Sequence, residues 1–144
     1  GEGEELTYLK SISENNISFL GRVNDKLMKN YLSRCRALIF PGIEDFGIIP
    51  VECMASGRPV IAFNKGGATE TIINKKTGLF FDKQSPDSLN KKINDYELME
   101  HKFDPIYIKN HSLKFDKKIF KQKFLKFIND SIEAFNDNNY LNKR

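Results

Sequence analysis

The sequence lacks the features that identify several classes of protein. Its 144 residues include only two cysteines, and no stretch approaches the roughly 18 consecutive apolar residues of a membrane helix. Cys35 and Cys53 are too few for a disulfide scaffold, so we predict free, buried thiols in a reducing compartment. The first residues also lack the positive and apolar regions of a signal peptide. Together these absences predict a cytoplasmic location.

Residues that carry catalytic or metal chemistry are equally sparse. No group of His, Cys, Asp and Glu has metal-ligand spacing, and no Ser-His-Asp arrangement is present. We assign no catalytic role to His101 or His111. No metal site and no bound cofactor are therefore expected.

The composition is that of an ordinary globular chain, with 40% hydrophobic and 29% charged residues. A chain of this length forms one domain with a core rather than two complete domains. The net charge of +4 is unevenly distributed, because residues 1–100 carry 13 basic and 14 acidic side chains, whereas residues 101–144 carry 10 and 5. The excess of positive charge therefore belongs to the C-terminal segment.

That segment interleaves lysine with phenylalanine. At helical spacing one stripe is predicted, with most of the lysines off it. The stripe consists of Phe120, Phe124, Phe127, Ile128 and Phe135, and the lysines are Lys117, Lys118, Lys121 and Lys126. We favour an amphipathic helix that packs its Phe side on protein. Peripheral contact with the inner face of a membrane is the alternative, and no nucleic-acid partner is expected.

Periodicity and turn residues predict an alternation of helices and strands. Four apolar runs are predicted as strands, at residues 17–20, 37–40, 59–63 and 78–81, and the second of them is expected to be buried on both faces. Helices are predicted around residues 6–15, 24–34, 48–56, 66–73, 85–100, 104–111 and 116–136. Strands joined by single helices predict an α/β fold, a Rossmann-like parallel sheet with helices on both faces and C-terminal helices. The loops after Leu20, Phe40 and Phe63 are the candidate binding loops.

The stretch from Phe40 to Val60 carries the clearest chemical signal. A strand leads into a glycine-bearing loop, which opens a helix whose first amides lack intrahelical partners and favour anionic oxygens. Glu44 lies on this loop and Glu52 on the second helical turn, so two carboxylates approach one extended ligand from different points. Carboxylates accept hydrogen bonds from vicinal sugar hydroxyls. A diphosphate with a ribose at one end and a sugar at the other would use the helix amides and both carboxylates.

An ordered set of motifs resembles the C-terminal, donor-binding half of the group 1, or family 4, retaining glycosyltransferases of the GT-B fold. The set comprises Ile17–Val23, Glu44-x7-Glu52 with Phe46-Gly47, Gly57-x-Pro59-Val60-Ile61, Gly66-Gly67-x-x-Glu70 and Thr77–Phe80. It covers residues 1 to about 100. The Glu-Asp-Phe-Gly form most resembles members that act on mannose-type donors in bacterial polysaccharide assembly.

The resemblance implies a role for each matching residue. Glu44, the catalytic position, would contact hydroxyls of the donor sugar, and Glu52 would hold the ribose hydroxyls. Backbone amides of Phe46, Gly47 and Ile48 would lie against the sugar and the diphosphate, Arg22 and Val23 would meet the base, and Gly1 and Gly3 would form a glycine turn. The resemblance also implies a GDP- or UDP-linked donor and a reaction without a metal.

The same resemblance divides the chain into a nucleotide-sugar-binding core, residues 1–100, and a helical segment, residues 101–144, that packs on the same domain. The glycine turn at the first residue and the missing initial Met predict an excised piece, inactive alone and weak in nucleotide binding. The intact relative would transfer the sugar, with retention, to a growing glycan such as bacterial lipopolysaccharide or O-antigen. The glycan or lipid-linked acceptor would be bound by the absent N-terminal domain.

Other interpretations stay open at this point. The chain could belong to a nucleotide-sugar epimerase or phosphorylase with the same two-domain plan, or it could be a non-catalytic interaction module that works through its basic tail. Gly66-Gly67 either contributes to the site or only permits a tight turn. Arg22 is either a base contact or a solvated loop residue.

Overall fold

The computed structural model describes residues 2–141, with side chains described up to residue 136. Gly1, one of the predicted site residues, lies outside the described residues. The helices are α1 (Leu6–Ile12), α2 (Asp25–Arg34), α3 (Ile48–Ala55), α4 (Ala68–Thr71), α5 (Pro86–Met99), α6 (Pro105–Ser112) and α7 (Lys117–Leu141). The strands are β1 (Leu38–Phe40), β2 (Val60–Phe63) and β3 (Gly78–Phe81), and short 3-10 turns cover Glu100–Lys102 and Leu113–Phe115.

The three strands form one parallel sheet in the order β1-β2-β3. Leu38 pairs with Val60, and Val60 in turn pairs with Gly78. The connections from β1 to β2 and from β2 to β3 pass through α3 and α4, as parallel neighbours require. The predicted α/β class with a Rossmann-like parallel sheet flanked by helices is confirmed.

The core lies around the central strand. All four residues of β2 are buried, which requires cover on both faces of the sheet. Cys53 and Met54 of α3 are fully buried. On its other side α3 packs against α6, whose Ile108 is also fully buried. The helix that carries the candidate site is therefore held between the sheet and α6.

One strand prediction was wrong, and a second was wrong in part. Residues 17–20 form no strand, and Ile17 and Leu20 are about half exposed, because no neighbouring strand pairs with this run among residues 2–141. The second predicted strand forms as β1, but Ile39 is 44% exposed rather than buried. Within the described residues β1 is an edge strand, and the face that carries Ile39 is largely uncovered.

Local capping signals define the starts of two of the predicted helices. The side chain of Asn24 accepts a hydrogen bond from the backbone amide of Leu27, which fixes the start of α2. Ser85 accepts from the amide of Ser88, and Pro86 occupies the first position of α5. These two signals lie within one helical turn of the ends that they define, so the sequence alone identifies them.

The C-terminal helices differ in how they relate to the core. α6 lies on α3, whereas α7 packs mainly on the turn formed by Leu113–Phe115 and exposes its aromatic side chains. The division of the chain at residue 100 stays a prediction. Among the described residues, no helix combines the length and the apolar character needed to cross a membrane.

Candidate functional site

The start of α3 is shaped by Gly47 and Pro50. Gly47 is buried, has φ 79°, and caps the helix without a side-chain hydrogen bond. A Cβ on Gly47 would lie 3.4 Å from Pro50 Cγ, and the left-handed backbone is strained for other residues. Pro50 has no N–H, so the first turn offers the amides of Ile48 and Ile49 to an acceptor. This helix start therefore presents two donors and the positive end of the helix dipole.

The loop that carries Glu44 rests on the glycine pair after β2. The amide of Gly67 donates to the Glu44 carbonyl at 2.8 Å. A Cβ on Gly66 would lie 2.6 Å from the same carbonyl oxygen, and a Cβ on Gly67 would lie 2.5 Å from Phe46 Cα. Glu44 itself is exposed, and within residues 2–141 its carboxylate has no hydrogen bond or ion pair. The glycine pair thus supports the backbone of the loop while the acid faces solvent.

Glu52 projects from the second turn of α3 into a groove between α2 and α3. The groove has a volume of about 760 Å³, and Asp25, Lys26 and Lys29 line it together with Glu52. Glu44 is not among the residues that line this groove. The structure therefore separates the two acids, with Glu52 on the α2 side of the helix and Glu44 beside the glycine pair.

Arg22 and Val23 line a second groove of about 660 Å³ at the start of α2. This groove shares Asp25 and Lys26 with the groove that Glu52 lines. The structure therefore brings the predicted base-binding loop and the predicted ribose-binding acid to adjoining surfaces. The sequence predicted Asp25 only as an alternative to Asn24 for the helix cap and predicted no site role for Asp25 or Lys26.

The glycine turn at the beginning of the chain lies beside the same loop. The carbonyl of Gly3 accepts a hydrogen bond from the amide of Leu6 at 3.0 Å. A Cβ on Gly21, where φ is 61°, would lie 3.1 Å from the Glu2 carboxylate. The Glu2 side chain, in the described part of the turn, therefore lies beside Gly21, and the role of Gly3 toward a ligand stays a prediction.

Phe46 and Ile48 point their side chains away from the core. They are 47% and 63% exposed. The Phe46 ring meets the Phe115 ring edge to face, with 5.8 Å between centroids, and Phe115 makes the same kind of contact with His111. The loop before α3 is thus joined to the C-terminal helices through aromatic rings.

Two further residues prove to have structural partners. His111 Nε2 lies 2.8 Å from the Thr71 carbonyl oxygen, which links α6 to α4. Arg58 donates from Nε and Nη2 to the Ser33 carbonyl at 3.0 and 2.8 Å, which links the residue before β2 to α2.

The cysteines are free thiols, as predicted, although only Cys53 is fully buried. Burial, with a smaller contribution from neighbouring Cys35, raises the pKa of Cys53 well above its ordinary value. Neither cysteine lines the two grooves. No group of three His, Cys, Asp or Glu side chains is placed to hold a metal ion in the part of the chain that the structure describes.

Comparison with known proteins identifies the family of this chain. Residues 1–114 match the family described as glycosyl transferases group 1. The chain is 42% identical over 86 residues to the alpha-1,3/1,6-mannosyltransferase ALG2 of Dictyostelium discoideum, covering 57% of this chain and 20% of that protein. It is 41% identical over 81 residues to ALG2 of Rhizomucor pusillus, covering 56% and 18%.

A third relative has no assigned activity in its name. Over 98 residues the chain is 34% identical to the uncharacterized glycosyltransferase MJ1178 of Methanocaldococcus jannaschii, covering 65% of this chain and 28% of that protein. The chain spans less than a third of the length of each of these relatives. Because the family match covers well over half of the described residues, the resemblance seen in the motifs is confirmed, and the chain belongs to the group 1 glycosyltransferases.

Proposed function

We propose that this chain binds the nucleotide-sugar donor of a retaining glycosyltransferase, and that the complete protein transfers the sugar to a growing glycan. The observation that supports the proposal best is the pair of adjoining grooves. Glu52 lines one, Val23 lines the other, and both share Asp25 and Lys26. A nucleoside lying along them would set its ribose hydroxyls against Glu52 and its base against the Gly21–Val23 loop.

The remaining parts of the donor have matching groups in this proposal. The amides of Ile48 and Ile49 and the positive end of the α3 dipole would stabilise the diphosphate as negative charge develops on the leaving group. Glu44, on the loop supported by Gly67, would accept hydrogen bonds from the sugar hydroxyls. Binding, orientation and charge stabilisation would then come from this chain's own groups, without a metal or cofactor.

The sugar in this proposal is mannose, carried on GDP or UDP. Two relatives are named as alpha-1,3/1,6-mannosyltransferases, which supports a mannose donor. The names of the relatives do not mention lipopolysaccharide or O-antigen, so they do not favour a bacterial polysaccharide over another acceptor. The proposal therefore specifies only a glycan or lipid-linked glycan as acceptor and keeps the cytoplasm as the location.

Nucleotide titration tests donor binding directly. In NMR spectra of the 144-residue chain, GDP, GDP-mannose and UDP are added separately, and we expect shifts at the amides of Val23, Lys26 and Ile48 with at least one of them. Glu52→Gln should weaken binding at least tenfold, because a charged acceptor of the ribose hydroxyls is lost. Glu133→Gln removes the same charge on α7 and should change nothing. Absence of shifts with all three nucleotides would contradict the proposal.

Transfer itself is tested in the complete protein. Glu44→Gln and Glu52→Gln should abolish sugar transfer while circular dichroism shows an intact fold. Unchanged function in both variants would favour the interaction module. Conversion of the donor to an epimer in the absence of any acceptor would favour the epimerase.

A further inference from the structure

The loop that carries Glu44 has a second support besides the glycine pair. The ring of Phe46 meets the ring of Phe115 with 5.8 Å between centroids and 74° between the ring planes. Phe115 in turn meets the imidazole of His111 at 5.8 Å and 75°. In such edge-to-face pairs the positive edge of one ring lies against the negative face of the next, which makes the contact favourable. We call Phe46, Phe115 and His111 the ring row, and it leads from the Glu44 loop to α6.

The ring row is anchored at the backbone carbonyl of Thr71. His111 Nε2 lies 2.8 Å from this oxygen, and because a carbonyl oxygen only accepts, Nε2 carries the proton that is donated. Thr71 is fully buried at the end of α4, and a buried carbonyl needs a hydrogen-bond donor. The hydrogen bond therefore holds the imidazole, and with it the ring row, against α4.

Thr71 leads back to the glycine pair. Its amide and its hydroxyl lie 3.1 and 3.2 Å from the Gly67 carbonyl oxygen, to which both donate. The amide of Gly67 donates to the Glu44 carbonyl at 2.8 Å. Together with the ring row, these hydrogen bonds form a closed circuit that begins and ends in the Glu44 loop. The loop is therefore held through its backbone at one end of the circuit and through the Phe46 ring at the other.

We propose that His111 is a positioning residue for the Glu44 carboxylate. It acts through the ring row, because Phe46 follows Glu44 by two residues and a displaced ring moves the backbone that carries the acid. Closely packed side chains transmit such displacements, and a shift of about 1 Å at a reacting group can lower a rate a hundredfold. His111 lines neither of the two grooves assigned to the nucleotide, so its effect falls on the sugar. The effect on transfer rests on the proposed function, whereas the effect on the loop does not.

Hydrogen exchange in the 144-residue chain tests the effect on the loop without any ligand. His111→Gln keeps an N–H donor for the Thr71 carbonyl but has no ring, so circular dichroism should show an intact fold. The Gly67 amide should lose protection roughly tenfold, because its acceptor on the Glu44 loop is held less firmly. The Leu38 amide, which donates to a carbonyl outside the circuit, should keep its protection.

A second break in the ring row should act in the same way. Phe115→Leu keeps an apolar side chain but removes the middle ring, so we expect a similar loss of protection at the Gly67 amide. The double variant with His111→Gln should show no larger loss, because both changes interrupt one connection. Phe135→Leu is the matched control on α7, where the ring is 68% exposed, and it should have no effect.

The complete protein tests the effect on transfer. His111→Gln should lower kcat roughly tenfold, while the affinity for GDP or UDP should change by less than about twofold. A role in stability alone would lower the number of nucleotide-binding sites and leave kcat per site unchanged. His101→Gln makes the same substitution at an exposed histidine of the Glu100–Lys102 turn and should match the unmodified protein.

The outcomes separate this inference from the proposed function. Unchanged protection of the Gly67 amide, or an unchanged kcat per site, in His111→Gln would overturn the positioning role. Equal losses in His101→Gln would also overturn it. If no nucleotide binds, the proposed function fails, and the exchange of the Gly67 amide then supports or overturns the link between His111 and the Glu44 loop.

Discussion

The backbone amide of Gly67 donates a hydrogen bond to the carbonyl of Glu44, with 2.8 Å between nitrogen and oxygen. Two segments that follow different strands of the sheet are joined at this point. The contact is possible because Gly67 has no side chain, since a Cβ there would lie 2.5 Å from Phe46 Cα. The position of the acid loop is therefore set in part by a residue that does not itself project into the candidate site.

Replacing Gly67 by Ala should displace the Glu44 loop. Overlap with backbone atoms cannot be relieved by a change of rotamer, so we expect a loss of about 1–3 kcal/mol in the free energy of unfolding. Nucleotide affinity should fall further than this loss of stability alone explains. Gly42→Ala is the matched control, because a Cβ on Gly42 has no atom within 4 Å. Chemical denaturation and nucleotide titration measure the two effects, and equal behaviour of both variants would contradict the explanation.

Replacing Met54 by Ala should destabilise the fold without touching the candidate site. Met54 of α3 is fully buried, so truncation leaves a cavity and costs about 2–5 kcal/mol. Leu98→Ala removes an apolar side chain that is 81% exposed and should change the free energy of unfolding by less than about 0.5 kcal/mol. Urea denaturation measures both values. A small effect at Met54 would mean that α3 is less tightly held than its burial indicates.

The pKa of Glu100 should depend on Arg36. Arg36 Nε lies 3.1 Å from both carboxylate oxygens of Glu100, and this hydrogen bonding holds the pKa of the Glu100 carboxyl below its ordinary value. A carboxyl with a lowered pKa stabilises the folded chain above its unfolded pKa, and this contribution is lost as the pH falls through the folded pKa. Arg36→Gln should therefore reduce stability at neutral pH but not in acid.

NMR titration of the Glu100 side-chain carboxyl tests this coupling. In Arg36→Gln the midpoint should rise toward the ordinary value of a glutamate. Arg34→Gln removes a cation two residues before Arg36 that is not among the groups acting on Glu100, and it should leave the midpoint in place. An unchanged midpoint in both variants would show that the ion pair does not persist in solution.

The two cysteines should differ in reactivity. Burial raises the pKa of the Cys53 thiol, so it forms almost no thiolate at neutral pH, and its side chain is fully buried. Cys35 is only half buried. Iodoacetamide should therefore modify Cys35 first in the folded chain and both residues after denaturation. Mass spectrometry of Cys35→Ser should show almost no modification before unfolding, and rapid labelling of Cys53 would contradict the buried position.

Much of the fold could be predicted because its signals are local. The Asn24 cap and the Ser85-Pro86 start each act within a single helical turn. The apolar run of β2 identifies the buried central strand, and the order of strands and helices then leads to a parallel sheet. The ordered motifs likewise led to the family, because their spacing along the chain is a property of the sequence.

Predictions that depended on distant partners were less successful. Residues 17–20 have the composition of a strand, but a strand forms only where another strand offers its hydrogen bonds, and none does so among the described residues. Ile39 was expected to be buried because β1 is apolar, yet its exposure depends on what covers the edge of the sheet. Neither outcome is encoded in the run of residues itself.

The sequence by itself determined the α/β class, the helix starts and the family, since these depend on composition, spacing and neighbours along the chain. Only the tertiary structure placed Glu52 and Val23 on adjoining grooves around Asp25 and Lys26, and supported the Glu44 loop on Gly67. The physical reason is that a site is formed by residues far apart in the chain. Their distances follow from how helices and strands pack, and no local pattern specifies that packing.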